Sequence, residues 1–438
     1  MLIKVIDAVM GTGKSTWAIQ QLKATGQRTI VVLPYRAEIK RYADALLEDT
    51  PELNVTALYD DIEGQNKQER FEDALQDAHV IITTHTLLKD FLKLHLFQLI
   101  EEGHWHLLMD EAIATFEPIK SLSKTMLDGW LVNGIVEIRQ LNERLRKIEP
   151  VSGVTEMYTR ADNFMTTPVE KYLLKGLMVN DMLAVKDQSA KGFFTFSLSE
   201  SRLKSFKSMT VLTYMFLGSD LDYWCRMKGI GVAHLELTRD AEDLFHLASH
   251  SGQYSGAMFK SFIEILDVKS SFGNERGQLS ATSSRALKKK SKRNITMINE
   301  VQKDLKRHFR NRKKNQVIEP EDFMYASLSD IRGIWSGKDL PTKFIGESTW
   351  VPYNKRGVNG YAHKHNLAFL YNVFQHLAVK QTVNSVISED SCYSEDTLAL
   401  STLLQWIWRS AIRKGEKVRV YIPSKRMRDL LINWLGWS

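Results

Sequence analysis

The chain has 438 residues, enough for two or three domains with cores of their own, and its 43% hydrophobic and 25% charged residues are those of an ordinary globular protein. No apolar run reaches the roughly 18–20 residues of a membrane span, and residues 1–6 read as a first core strand, not a leader. Cys225 and Cys392, the only cysteines, have no metal-ligand spacing, which excludes a disulfide framework and points to a cytoplasmic setting, while the net charge of +7 invites a polyanionic partner.

The apolar residues 2–6 run into Ala8-Val9-Met10-Gly11-Thr12-Gly13-Lys14-Ser15-Thr16. A strand, a glycine-rich turn and a helix opening near Lys14 make a cradle for phosphate. Gly11 and Gly13 let the backbone curl so that its N–H groups face phosphate oxygens, and the helix N-terminus adds its positive end. Gly11, Thr12, Gly13, Lys14, Ser15 and Thr16 are the candidate ATP-binding residues: Lys14 reaches the β- and γ-phosphates and the Ser15 hydroxyl ligates Mg²⁺. Ala8 stands where the pattern G-x-x-x-x-G-K-[ST] usually opens on glycine.

Strand signals at 29–34, 54–59 and 79–84 then alternate with helix signals at 38–47, 69–78 and 87–101. A buried-strand pattern over 104–109 ends in Asp110-Glu111-Ala112. Continuous apolar strands alternating with helices predict a doubly wound parallel sheet, which binds ligands at the carboxyl ends of its strands. Asp110 at such an end is a second candidate Mg²⁺ ligand, and Glu111 a candidate base that polarises the attacking water. Together the two motifs predict an ATP-hydrolysing site.

Beyond Pro118 the alternation stops. Met126, Trp130, Ile135, Ile138, Leu141 and Leu145 recur at near-helical spacing, so 119–206 is expected to be a largely helical insertion, one long helix or a pair. A strand at 207–216 closes a first domain at 1–220. In 221–438, strands at 321–327, 367–370 and 417–422 and helices at 397–410 and 425–435 predict a second α/β domain. Within it, 285–314 holds thirteen Lys/Arg against Glu300 and Asp304, a net of +11 that leaves the rest of the +7 chain at −4. That concentration is the footprint of a nucleic-acid contact, with Lys288, Lys289, Lys290 and Arg293 as its candidates, or of a solvated linker.

Further short motifs follow in a fixed order: Val32-Leu33-Pro34-Tyr35-Arg36, Ile81-Ile82-Thr83-Thr84-His85, Val211-Leu212-Thr213-Tyr214-Met215, Arg356-Gly357-Val358-Asn359, and Gln405-Trp406-Ile407-Trp408-Arg409-Ser410-Ala411-Ile412-Arg413. The series resembles the motifs of superfamily 2 helicases, most of all phage-encoded DNA helicases. The resemblance implies two RecA-like parallel-sheet domains, an ATP- and Mg²⁺-dependent motor, DNA as partner with RNA not excluded, and a place in replication or recombination. It implies catalytic roles for Gln405 and for Arg409 or Arg413, nucleotide contact for Gly357 and Asn359, and nucleic-acid contact for Arg36, Thr83, Thr84 and His85. Trp408 stands where the family's last motif usually has glycine, and Arg413 lies one residue late, so either arginine remains the candidate for the catalytic cation. A DNA-packaging-type ATPase motor and a non-catalytic nucleic-acid-binding protein are the rival readings.

Overall fold

The computed structural model describes residues 2–48, 50–58, 66–91, 94–160, 165–186, 192–311, 316–337, 340–353, 360–387 and 392–437. Two compact units divide the chain, Met1–Ser251 with Gln375–Tyr393, and Gly252–Phe374 with Ser394–Ser438. No helix among the described residues is long and apolar enough to cross a membrane.

In the first unit β1 (Leu2–Asp7), α1 (Lys14–Thr25), β2 (Thr29–Leu33), α2 (Arg36–Leu47), β3 (Val55–Ala57), α3 (Lys67–Asp77), β4 (Val80–Thr84), α4 (His85–Phe91), α5 (Leu94–Glu102) and β5 (His106–Asp110) alternate as the sequence predicts. The chain then leaves the sheet as β6 (Phe116–Ile119), α6 (Lys124–Val132), β7 (Val136–Gln140), β8 (Leu145–Pro150), α7 (Val154–Thr159), α8 (Pro168–Val179), β9 (Asn180–Val185) and β10 (Phe193–Leu198). It returns through α9 (Glu200–Lys204), β11 (Ser208–Thr213), α10 (Asp220–Lys228), β12 (Gly231–Arg239) and β13 (Phe245–Ser249).

The main sheet has the order β13-β12-β1-β11-β5-β2-β4-β3, parallel throughout except for β13. Its central strands are buried on both faces, Ile30, Val31 and Val32 of β2 all fully so, which is why they read as continuous apolar runs. Odd and even positions feed two cores: Ile6, Trp17, Tyr42 and Leu212 share one, and Val5, Trp105, Val211 and Trp224 the other.

The insertion departs from the helical expectation. A five-stranded antiparallel sheet, β6-β10-β9-β8-β7, runs through it, with α6 and α8 packed on one face around Trp130, Leu173 and Leu177. Where one long helix or a helix pair was expected, α6 stops at Asn133-Gly134, Gly134 taking φ +62°. The residues beyond pair as the hairpin β7–β8, its turn held by Asn142, whose side-chain oxygen accepts from the Arg144 and Leu145 amides. The spacing of Ile135, Ile138, Leu141 and Leu145 thus falls across a hairpin, with Ile135 and Leu145 buried and Ile138 and Leu141 exposed, not along one helix face.

The domain boundary expected at 220 falls inside the first unit, because β12 pairs with β1 along its length. Residues 375–393, placed in the second domain from sequence, also belong to the first unit. There α13 (Leu377–Asn384) lays Val379 and Val383 into its core.

The second unit carries β14 (Ile263–Ile265), α11 (Ala281–Ala286), α12 (Lys292–Phe309), the small hairpin β15 (Arg310–Asn311) and β16 (Gln316–Val317), β17 (Phe323–Ala326), β18 (Asn366–Phe369), α14 (Glu395–Ile407), β19 (Val418–Tyr421) and α15 (Lys425–Trp434). Its sheet, β14-β19-β18-β17, is wholly parallel. The basic segment is no linker. Ser291 caps α12, which buries Val301, Leu305 and Phe309 and turns Lys292, Arg293, Lys303 and Lys306 to solvent.

Candidate functional site

β1 delivers the chain into the glycine loop at the carboxyl edge of the main sheet. Gly11 and Gly13 both take positive φ, +89° and +90°, a conformation open to glycine at little cost. Gly13 caps α1 with no side-chain hydrogen bond, so the first amides of the helix face outward as an anion-binding end. Lys14 folds back over the loop, its ammonium donating to the carbonyls of Ala8, at 2.5 Å, and Val9, at 3.2 Å. Burial lowers the Lys14 pKa, and the carboxylates of Glu111, Asp110 and Asp7 oppose that shift. Thr12 Oγ1 donates to the Val9 carbonyl at 2.9 Å, and Thr16 is exposed on the first turn of α1.

Strand order brings the second motif to this loop. β11 lies between β1 and β5, with Asp7 opposite Thr213 and Asp110 opposite Leu212, so the three strand ends stand level. Ser15 Oγ donates to Asp110 Oδ2 at 2.6 Å, uniting two side chains 95 positions apart. Both are hard oxygen donors, the type Mg²⁺ selects, and their convergence beside an uncapped helix end fits ATP with Mg²⁺. Glu111, next in sequence, is held at φ +77° with its amide bonded to the Leu212 carbonyl. A non-glycine residue in that region carries strain, and strain of this kind gathers where function requires it.

Sequence reasoning missed two contributors. Tyr42 of α2, fully buried, donates its hydroxyl to the same Asp110 Oδ2 at 2.6 Å. Burial and then the adjacent Asp110 carboxylate push its phenol pKa well up, so it remains a donor. Its helical spacing with Ile39 and Leu46 marks it only as a core residue. The ring of Phe245 in β13 occupies the place where a side chain on Gly13 would go, 2.9 Å from that Cβ position, and Arg239 of β12 stacks on it at 4.6 Å. No motif signals that hairpin.

The remaining candidates divide. In the first unit Arg36 is exposed at the start of α2, and His85 is half-buried at the start of α4. Thr84 accepts from the Leu87 amide and so caps α4. Thr83 is overturned as a nucleic-acid contact: it is 0% exposed, sealed inside β4 opposite Val32.

In the second unit Gln405 is half-buried on α14. Arg409 is 4% exposed and donates to the carbonyls of Pro352 and Tyr353, whereas Arg413 is exposed. Trp406 is fully buried with its indole N–H on the Val351 carbonyl. Lys288 is tied to Asp330 at 3.1 Å, while Lys289, Lys290 and Arg293 are exposed. Gly357 and Asn359 lie outside the described residues.

Comparison with known proteins adds the following. Residues 257–435 match a family model described as the YonV C-terminal Rossmann-like domain, in keeping with the parallel sheet of the second unit. The chain is 26% identical over 448 residues to an SPbeta prophage-derived uncharacterized protein, YonV, of Bacillus subtilis (strain 168), spanning 99% of this chain and 98% of that protein. Among solved structures, the S. tokodaii Xpd4 structure aligns over 100% of this chain and 94% of its own, at 12% identity and a TM-score of 0.49. The DUF1998 helicase MrfA bound to DNA and AMPPNP aligns over 98% of this chain and 47% of its own, at 10% identity and a TM-score of 0.34.

Proposed function

We propose that the chain is an Mg²⁺-dependent ATPase driven by nucleic acid, a superfamily 2-type helicase or translocase that works on DNA in replication or recombination. The observation that carries this reading is the Ser15–Asp110 contact at the mouth of an uncapped, glycine-hinged helix, with Glu111 beside it. Bound Mg²⁺ would neutralise charge on the transferring phosphoryl group. Lys14 exchanges its loop carbonyls for phosphate oxygens when nucleotide enters. Ser15 and Asp110 would hold the metal, Tyr42 would orient Asp110, and Glu111 would take the proton of the attacking water. Either Arg409, which donates to the Pro352 and Tyr353 carbonyls, or the exposed Arg413 would supply the catalytic cation. Arg36, Thr84 and His85 in the first unit and Lys289, Lys290 and Arg293 in the second are the assigned backbone contacts to the nucleic acid.

The test is the steady-state ATPase rate of the purified chain with single-stranded DNA, duplex DNA, RNA or no polymer. Stimulation by one polymer, abolished in Lys14→Ala, supports the motor and names its track. Hydrolysis indifferent to every polymer removes the nucleic-acid part of the proposal. Absence of hydrolysis removes the proposal altogether.

A further inference from the structure

Away from the nucleotide loop, the sheet register assembles a second set of donors. β12 runs parallel to β1 with Val5 opposite His234 and Asp7 opposite Glu236. β13 is antiparallel to β12, and just beyond its end the amide of His250 donates to the carbonyl of His234 at 3.0 Å. Residues opposite one another share a face, as do residues two apart on one strand. Asp7, His234 and His250 therefore stand on one face of three neighbouring strands, although more than two hundred positions separate Asp7 from the histidines. It is the face away from α1, whose core is built on Ile6, Ala8 and Leu235 instead.

The side chains complete that placement. The Asp7 carboxylate is 1% exposed and fixed from behind, Oδ1 accepting the Met215 amide and Oδ2 the Phe216 amide, both at 2.9 Å. His234 Nε2 donates to Oδ2 at 2.8 Å, and the His234 and His250 rings lie nearly parallel with centroids 4.2 Å apart. One ligand atom from each of the three falls within 4.8 Å of the other two.

We propose that Asp7, His234 and His250 form a site for one divalent transition-metal ion of the zinc type. Two imidazole nitrogens and one carboxylate oxygen make the mixed donor set that Zn²⁺ accepts with tetrahedral geometry, whereas Mg²⁺ and Ca²⁺ call for oxygen alone. Amides that pin a ligating carboxylate are the outer-shell support such sites depend on. The ion would take the place of the proton between His234 and Asp7, that proton passing to solvent. It staples the strand that leads into the phosphate loop to β12 and to the end of β13. It is distinct from the all-oxygen pair Ser15 and Asp110.

The experiment uses the full chain, purified from chelator, and titrates it with Co²⁺ and then with Zn²⁺ against a chromogenic competitor. We expect one tight equivalent, visible Co²⁺ bands of low coordination number that Zn²⁺ displaces, and a rise in the first unit's melting temperature with Zn²⁺. His250→Ala, at a half-buried position, should weaken binding at least tenfold and remove the Zn²⁺-dependent rise, while Asp110→Asn keeps both. Circular dichroism checks that each variant is folded. Wild-type protein that binds no equivalent, binds it as well in His250→Ala, or loses it in Asp110→Asn overturns the proposal.

Discussion

Glu111, proposed above as the catalytic base, is held in a backbone conformation that works against stability. Its φ of +77° costs a side-chain-bearing residue roughly 1 kcal/mol more than it costs glycine. Glu111→Gly should therefore raise the first unit's melting temperature by roughly 2–4 °C while abolishing hydrolysis. Glu111→Gln should abolish hydrolysis without that gain, and nucleotide should still bind. Equal melting temperatures for the two variants would show that the backbone there is unstrained. Tyr42 is the complementary case, a buried donor to the Asp110 carboxylate proposed to hold the metal. Tyr42→Phe should raise the Mg²⁺ concentration needed for half-maximal ATPase several-fold while ATP binding without metal is unchanged. Unaltered Mg²⁺ dependence would reduce Tyr42 to a packing residue.

At the scale of the element, α12 joins two properties that the sequence shows only as a charge run. One face anchors the helix through Val301, Leu305 and Phe309, and the other presents Arg293, Lys303 and Lys306. Leu305→Ala should cost the second unit about 2–5 kcal/mol, read by denaturant unfolding. The inner strand β18 offers a pH handle. At its start His365 bonds Asp322 through Nδ1 and Glu416 through Nε2, each at 2.7 Å. Burial lowers the His365 pKa, but these bonds and charges outweigh it, and the net shift is upward. A folded pKa above the unfolded value stabilises at low pH and loses that contribution as pH rises through the folded pKa. The second unit should therefore weaken as pH climbs from about 6.5 through the neutral range, and His365→Gln should flatten the profile; an unchanged profile would place the titration elsewhere.

For the whole molecule the +7 charge matters by its placement. Lys288 is paired with Asp330 and Lys292 is exposed beside three further candidate cations, Lys289, Lys290 and Arg293. Replacing those three with Gln should lower the slope of log K against log salt for DNA binding by about 2–3 and weaken binding across sequences alike. A slope equal to wild type would return the helix to a purely structural role. The chain also crosses between its units three times, after residues 251, 374 and 393, since 375–393 returns to the first.

Much of the candidate site is legible in local sequence, because the chemistry proposed for it needs particular residues at fixed short spacing. The glycine loop, Lys14 and Ser15 lie within five positions, and Asp110-Glu111 closes an unmistakable buried strand. Parallel strands buried on both faces also announce themselves, so β2, β4, β5, β17, β18 and β19 fall close to where the apolar runs put them. The insertion does not, because short amphipathic strands around a turn can mimic helical spacing until their partners are known. Thr83 as core, Arg409 as a carbonyl clamp and Tyr42 as an aspartate donor depend on what packs against them. Asp7, His234 and His250 depend on it most: strand order and register alone bring them together, and pairing across two hundred residues leaves no trace in local composition.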